Sequence, residues 1–280
     1  MVIGATGLLG KDLVAVASRM GWDVDAPASY ELDITSEGSV AGYLECSDAQ
    51  WIVNCAAYTD VDGAESHPEA ARSLNDSGPG YLGRFAEGRR IIHVSTDFVF
   101  DGSKESPYVE ADPVNPLQVY GKTKLAGERA LSDVDPTAII VRTAWLYGAA
   151  RDCFPSKMIR MAQSGKPLRV VDDRYGSPTY SHDLATAIMH LATIGPAGGI
   201  YNVVNSGQAT WYDLAAAAIT AAGAAVELQS AATEDFPAPA DRPKYSVLDT
   251  GKYQSLGLSP LPYWTDAIRR YVDEMKFKRN

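Results

Sequence analysis

Hydrophobic positions in the first half of the chain come in short runs, separated by stretches whose apolar residues recur every three or four positions. "MVI" (1–3), "GWDVDAP" (21–27), "WIVNCAA" (51–57), "RRIIHVST" (89–96) and "TAIIVRTAW" (137–145) read as strands, with helical segments between them. Continuous apolar runs such as "WIVNCAA" and "AIIVR" fit strands buried on both faces. Strands alternating with helices predict βαβ units, hence an α/β fold with a doubly wound parallel sheet. The first strand is short: only Met1, Val2 and Ile3 precede the first glycine.

Beyond residue 150 the rhythm changes. A helical "SKMIRMAQSG", a turn-rich "DDRYGSPTYSHD", a helical "LATAIMHLATI" and a strand-like "GGIYNVVNS" follow in turn. The helical "WYDLAAAAITAAG" then leads to a proline-rich connection, "FPAPADRPKY", read as ordered loop.

Composition narrows the function classes. At 280 residues and 46% hydrophobic, the chain can bury one large α/β unit or a nucleotide-binding domain with a smaller appendage. With 35 acidic against 25 basic residues, the formal charge of -10 gives no footprint for nucleic acid. Cys46, Cys55 and Cys153 lack metal-ligand spacing, and an odd, sparse count argues against a disulfide framework. The start, "MVIGATGLLGK", has no basic segment before its apolar stretch, and no run approaches the roughly 18 residues of a membrane helix. A soluble, unprocessed, cytoplasmic chain is expected.

"GATGLLG" supplies Gly4, Gly7 and Gly10 directly after the first strand and opens the helical "LGKDLVAVASRM". Glycines at that spacing permit a tight turn, close approach of backbone to a pyrophosphate and close helix packing, with phosphates on the helix N-terminus. This is the Rossmann-type arrangement, and a ligand-free Gly-rich turn is its plain alternative. It divides the chain into a dinucleotide-binding domain (1–150) and a smaller, mainly substrate-binding region (151–280), some segments of which return to the first domain. Candidate acidic partners for the adenine ribose are Asp25, Glu31 and Asp33. Between Arg19 and Lys104 the only basic residues are Arg72, Arg84, Arg89 and Arg90, so preference between NADH and NADPH stays open.

"HVSTDFVFDG" places Ser95 and Thr96 at the C-terminal end of the fourth candidate strand, where open α/β sheets put their ligands. The next helix is expected to start at Asn115 as cap with Pro116 in its first turn. Tyr120 and Lys124 then share a face. A free tyrosine, with a pKa near ~10, is a poor acid–base group at neutral pH, and Lys124 is placed to favour its phenolate. Taken alone, the spacing fits a core tyrosine beside a solvated lysine better than a catalytic pair; the glycine loop and Thr96 reverse that balance. Gly121 and Gly127 inside this helix each cost on the order of 1 kcal/mol relative to Ala, which points to close neighbours.

With "GATGLLG", "ELDIT", "IVNCAAYTDVDGAE", "STDFVFDG", "NPLQVYGKTKLAGE", "VRTAWLYG", "DRYGSPTYSHDLA" and "RPKYSVLD" in view, the chain resembles the extended short-chain dehydrogenase/reductases, and within them the dTDP-4-dehydrorhamnose reductases. The resemblance implies NADPH or NADH as cofactor, a dTDP-sugar as substrate and reduction of a C4 ketone without a metal. It assigns Thr96 to the substrate carbonyl, Tyr120 to proton donation, and Lys124 to the nicotinamide ribose and to lowering the tyrosine pKa. It further places Gly7, Leu8 and Leu9 at the pyrophosphate, with Gly4 and Gly10 framing that loop. Asp33 and Ile34 fall on the adenine side, Ala56, Ala57, Tyr58 and Thr59 along the cofactor, and Asp97 and Trp145 at the sugar. A homodimer is compatible with it.

The chain departs from the family's common pattern at Phe98, Ser29, Arg174 and Tyr245. Phe98 also stands where a dehydratase of this group carries a carboxylate, which argues against elimination. An epimerase, and a non-catalytic dinucleotide-binding subunit like that of methionine adenosyltransferase, remain as rivals. His93, in an apolar strand, is read as a satisfied core residue, and "VDDRY" as a turn rather than a metal site.

Overall fold

The computed structural model describes residues 1–277. Five parallel strands form its centre, in the order β1 (Val2–Ile3), β2 (Trp51–Asn54), β3 (Arg90–Thr96), β4 (Ile139–Thr143) and β5 (Gly199–Asn202). Successive residues of a strand point to opposite faces, so unbroken apolar runs feed two cores. Val2, Val53, Ile92 and Val141 pack on one face against Leu13 of helix α1 (Leu8–Arg19) and against Leu184 and Ile188. Ile3, Ile52 and Ile91 pack on the other with Val40 of α2 (Glu37–Glu45), Leu82 of α3 (Gly78–Phe85) and Leu131 of α4 (Val119–Val134).

Two local expectations fail. "GWDVDAP" forms no strand; Val2 N donates to Asp25 O at 2.7 Å, and Trp22 and Val24 pack against the core that holds Val2. It lies at the open edge, where charged side chains and a proline without an N–H discourage pairing. Helix α4 begins at Val119 with Gln118 as its cap, not at Asn115. The Asn115 side chain donates instead to Asp101 Oδ2 at 3.0 Å.

Residues from the second half enter both parts of the fold. Strand β5 pairs with β4, and helix α5 (Ser181–Ile194) packs on α1. The remainder combines helices Phe154–Ala162, Trp211–Ala221 and Trp264–Phe277 with two- to four-residue strand pairs, including Ala209–Thr210 with Tyr175–Gly176 and Leu228–Ala231 with Leu168–Val171. They surround a separate aromatic core of Tyr147, Tyr180, Trp264 and Tyr271.

The two helix glycines of α4 have the close neighbours their cost implied. A Cβ on Gly121 would overlap the Phe98 carbonyl oxygen, and one on Gly127 the Asn75 carbonyl oxygen. Both opposing atoms are backbone and cannot rotate away. Gly127→Ala is therefore expected to destabilise the fold by about 1–3 kcal/mol, despite alanine's better helix propensity, and urea unfolding would read the loss.

Candidate active site

The C-terminal ends of β1, β2, β3 and β4 open on one cavity of ≈ 660 Å³. Gly4, Gly7, Leu8, Leu9 and Gly10 line one side of it, with Ala56, Ala57 and Thr59 following β2. Thr96, Asp97, Tyr120, Lys124 and Trp145 line the other. The structure thus brings together residues more than 100 positions apart.

The glycine loop fits a pyrophosphate. Gly4 has φ +77, where only glycine sits without strain, and a Cβ there would lie 2.8 Å from Ala56 N. A Cβ on Gly10 would overlap the Gly4 carbonyl, so helix and loop touch backbone to backbone. Gly7 caps α1 with no side-chain acceptor, and the first turn carries no acidic residue. Its N–H groups and positive dipole end are therefore not engaged by a side chain.

The adenine side is less developed. The Asp33 carboxylate accepts from Thr35 N at 2.9 Å and from Thr35 Oγ1 at 2.7 Å, and neither Asp33 nor Ile34 lines the cavity. Ile34 is buried beneath Gly78. Tyr58 likewise stays outside the lining; Asn75 grips its backbone, accepting from Tyr58 N at 2.8 Å and donating to Tyr58 O at 3.1 Å. Nearby arginines are occupied: Arg84 pairs with Glu37, and Arg89 donates to Leu44 O and Ser47 O.

At the other end, Thr96 Oγ1 lies 3.1 Å from Asp97 Oδ1 and accepts from Phe98 N at 3.2 Å. Ser246, from the second half of the chain, donates to Asp97 Oδ2 at 2.6 Å. Burial pushes the Asp97 carboxyl up to about 7, against the pull of its hydrogen bonds from Ser246 and Thr96. The Phe98 ring meets Tyr120 edge to face, centroids 6.1 Å apart.

Burial also pushes the Tyr120 phenol up to about 12; a hydrogen bond with Thr96 pulls it down and the Asp97 charge pushes it up. Lys124, to which the resemblance assigns a lowering of this pKa, is not among the groups that shift it here. Lys124 Nζ turns to the sheet, donating to Val94 O at 2.7 Å and meeting His93 Nε2 at 3.2 Å. Desolvation brings Lys124 down to about 8, opposed by the charges of Glu128 and Cys55.

Trp145 adopts φ +44, a left-handed conformation strained for a residue with a side chain. Its indole stacks on Trp211 at 3.8 Å and packs against Gly176, where a Cβ would strike the ring. Beside the cavity, Phe154, Arg174, Trp211, Phe236 and Arg242 line a second hollow of ≈ 760 Å³. Arg174 is tied there by Nε to Thr233 Oγ1 at 2.9 Å and by Nη1 to Arg242 O at 2.6 Å.

Several participants carry no signal in the chain. Ser246 reaches Asp97 across 149 positions. Thr143 Oγ1, on the strand position beside Thr96, is buried without a partner at the cavity wall. Glu128 accepts from Ser95 Oγ at 2.5 Å and from Arg142 Nη2 at 2.6 Å, bolting α4 to the ends of β3 and β4. Arg142 and Glu128 are the i+14 pair that only register could reveal. Among the described residues, no group of three or more His, Cys, Asp or Glu could hold a metal, and no helix is long and apolar enough to cross a membrane. The three cysteines are free.

A raised Asp97 sets a sign for stability. Its carboxyl is protonated in the fold at pH values where it is ionised in the unfolded chain, so the fold binds more protons between about pH 4 and about 7. Stability contributed by this group is present below pH 4 and is lost as pH rises through 7, with a slope of up to about 1.4 kcal/mol per unit. Asp97→Asn is expected to flatten that slope in denaturant melts run from pH 4.5 to 7.5 (roughly the window between the two pKa values).

Comparison with known proteins supplies the context. The profile of the RmlD substrate binding domain matches residues 1–277. The chain is 41% identical over 276 residues to a dTDP-4-dehydrorhamnose reductase of Streptomyces griseus, covering 96% of this chain and 91% of that protein. It is 40% identical over 272 residues to a dTDP-4-keto-6-deoxy-D-glucose reductase of Streptomyces niveus, covering 96% and 94%. A dTDP-4-dehydrorhamnose reductase from Bacillus anthracis, solved in complex with NADP, superposes with a TM-score of 0.94 at 33% identity, covering 98% of each chain.

Proposed function

This chain belongs to the RmlD substrate-binding-domain family, and from that membership and the cavity we propose that it reduces the C4 ketone of a dTDP-4-dehydro-6-deoxy sugar with NADPH or NADH. dTDP-4-dehydrorhamnose is the substrate and dTDP-L-rhamnose the product. The observation that carries the reading is one cavity lined by both the glycine loop and the Thr96, Tyr120 and Lys124 trio. A reductase needs exactly those two ends within one dinucleotide's length of each other.

Gly4, Gly7 and Gly10, with the first turn of α1, would hold the pyrophosphate, and Lys124 the nicotinamide ribose. When bound, the reduced nicotinamide supplies the hydride. Tyr120, held as a phenol by burial, gives its proton to the C4 oxygen as negative charge develops there. Thr96 Oγ1 shares that oxygen and is aimed by Phe98 N and Asp97. Asp97, fixed by Ser246, faces the sugar. Trp145 and the aromatic rings of the adjoining hollow suit the base of a nucleoside diphosphate, while Arg242 there is held by Asp62 at 2.8 Å and Arg174 by Thr233 and Arg242 O.

The two Streptomyces relatives named above are, by name, reductases of dTDP-linked 4-keto-6-deoxy sugars, so the ketone chemistry is shared and the sugar's stereochemistry is the variable. The deciding assay is consumption of NADPH and NADH with dTDP-4-dehydrorhamnose and, separately, dTDP-4-keto-6-deoxy-D-glucose. Oxidation with the first and a rhamnose product support the assignment; no oxidation with either sinks it. Sedimentation of the same preparation tests a homodimer.

A further inference from the structure

Thr96 has one proton to offer a substrate oxygen, and in this structure that proton is committed elsewhere. A hydroxyl carries a single donor and two lone pairs. The Phe98 N–H occupies one lone pair of Thr96 Oγ1 at 3.2 Å, and the hydroxyl donates its proton to Asp97 Oδ1 at 3.1 Å. Tyr120 is the other hydroxyl bonded to Thr96, and toward it the remaining lone pair can only accept. With Asp97 ionised, the protons of Tyr120 and Thr96 are therefore both drawn along the chain toward the carboxylate and away from the ketone.

The far side of Asp97 is fixed by the second half of the chain. Ser246 Oγ donates to Asp97 Oδ2 at 2.6 Å. The Ser246 backbone is held in turn: its N–H donates to Tyr175 O at 2.8 Å, Tyr108 N–H donates to Val247 O at 2.8 Å, and Leu248 N–H donates to Ser177 Oγ at 3.2 Å. Asp97 and Ser246 are 2% and 1% exposed, and the side-chain partners of the carboxyl are hydroxyls rather than cations. A carboxylate buried in that way gives ground to its neutral acid. Because Oδ2 already receives the Ser246 proton, the acid proton belongs on Oδ1, where it donates to Thr96 Oγ1. Asp97 and the Phe98 N–H then fill both lone pairs of Thr96, and its own proton is released to the cavity. The Tyr120 O–H loses its acceptor at the same moment and is released with it.

We propose that Asp97 and Ser246 are positioning residues that set the direction of the Thr96 hydroxyl: ionised Asp97 draws its proton away from the substrate, and protonated Asp97 turns it toward the ketone oxygen. The proposal deepens the reductase reading and rests on it. The carboxyl, pushed up to about 7, is present in both forms at neutral pH. The groups facing it are Thr96 and the Phe98 N–H at the end of β3, Tyr120 on α4, and Ser246. Tyr120 is the titratable one, and at about 12 it stays a phenol throughout the range in which Asp97 changes. Cys55, Lys124, Arg151, Asp152 and Cys153 line the same cavity, and none is among the groups that shift Asp97.

The titration of Asp97 and its effect on turnover are measured apart. Carboxyl-carbon NMR of the full chain, isotope-labelled at aspartate Cγ, gives the first, with the Asp97 signal identified by its loss in Asp97→Asn. A midpoint near 7 is expected. A midpoint at the ordinary carboxylate value overturns the proposal even if no variant folds. Ser246→Ala removes a hydrogen bond that favours the charged form, and is expected to raise the midpoint by roughly half a unit or more.

The second measurement is kcat for reduction of dTDP-4-dehydrorhamnose against pH, with NADH so that no 2′-phosphate of the cofactor titrates in the range. Wild-type kcat is expected to fall on the order of 10-fold as pH rises through 7, less than outright removal of such a donor would cost. The fall should appear in kcat and kcat/KM alike, because the bond matters in the transition state. In Ser246→Ala it should move to higher pH along with the NMR midpoint; an unmoved fall assigns Ser246 to structure only and overturns its part. Asp97→Asn, giving its amide oxygen to Ser246 and an N–H to Thr96, should show no fall. Thr96→Val decides the route: Asp97 should still titrate by NMR while the fall in kcat disappears. A fall that persists in Thr96→Val overturns the proposal, since Asp97 would then act on Tyr120 by charge alone. A wild type that turns over on a flat profile overturns the proposal and spares the reductase reading, whereas a wild type that oxidises no NADH at any pH overturns both.

Discussion

Tyr120→Phe is expected to lower kcat for reduction of dTDP-4-dehydrorhamnose by about 10²–10⁴-fold, the range that a positioned general acid contributes. The substitution removes one oxygen and its proton and nothing else of size. The ring keeps its edge-to-face contact with Phe98, and helix α4 keeps Gly121 against the Phe98 carbonyl. Cofactor affinity should consequently stay close to wild type, since the glycine loop and Lys124 are untouched. The check is steady-state oxidation of the reduced nicotinamide alongside its fluorescence titration. A variant that turns over at the wild-type rate would show that another group delivers the proton. Thr96 is the neighbour best placed to do so, and Asp97, pushed up to about 7, could refill it.

Glu128→Ala carries the largest expected effect on stability, about 3–5 kcal/mol. Glu128 and Arg142 are 3% and 2% exposed, joined by two hydrogen bonds at 2.9 and 2.6 Å, and Ser95 adds a third to the same carboxylate. Truncating the acid leaves a guanidinium charged and buried. Its remaining acceptor contact is Glu110 O at 3.5 Å, with the Phe100 ring 5.2 Å away, and neither replaces a carboxylate. Arg142→Met should cost less when combined with Glu128→Leu than either single change does, because the pair can be exchanged for packing whereas half of it cannot. Urea unfolding of the four proteins closes that cycle. Strict additivity of the single effects would show that the pair is not coupled.

The two experiments touch different layers of one helix. Tyr120, Lys124 and Glu128 follow one another at four-residue intervals, so they lie along one stripe of α4 facing the sheet. Tyr120 faces the cavity, Lys124 the His93 side chain, and Glu128 the anchoring arginine. The stripe therefore runs from the cavity to a buried histidine to the anchoring ion pair within three turns.

What was legible beforehand was whatever depends on near neighbours. The glycine loop announces itself because a tight turn, a close backbone approach and a helix start must all occur within seven residues. The parallel sheet is visible in runs such as "IIVRT", since residues buried on both faces have no polar alternation to show. Two strand-like and helix-like readings failed for local reasons too. "GWDVDAP" has strand composition but no second neighbour at the sheet edge, and Asn115, with every property of a helix cap, was claimed by Asp101.

By itself, then, the chain determined the fold class, the glycine loop and the Tyr120–Lys124 helix, because hydrophobic periodicity and glycine steric freedom are properties of adjacent residues. Only the tertiary structure decided the electrostatics. Whether Tyr120 is pushed up or down depends on which groups burial places beside it, and Lys124 turned to Val94 and His93 rather than standing in solvent. Ser246 against Asp97, Asn54 against His93, and Arg142 against Glu128 join residues 149, 39 and 14 positions apart. Strand register and loop return bring such pairs together, and the low dielectric of the interior then makes each hydrogen bond and each missing partner count.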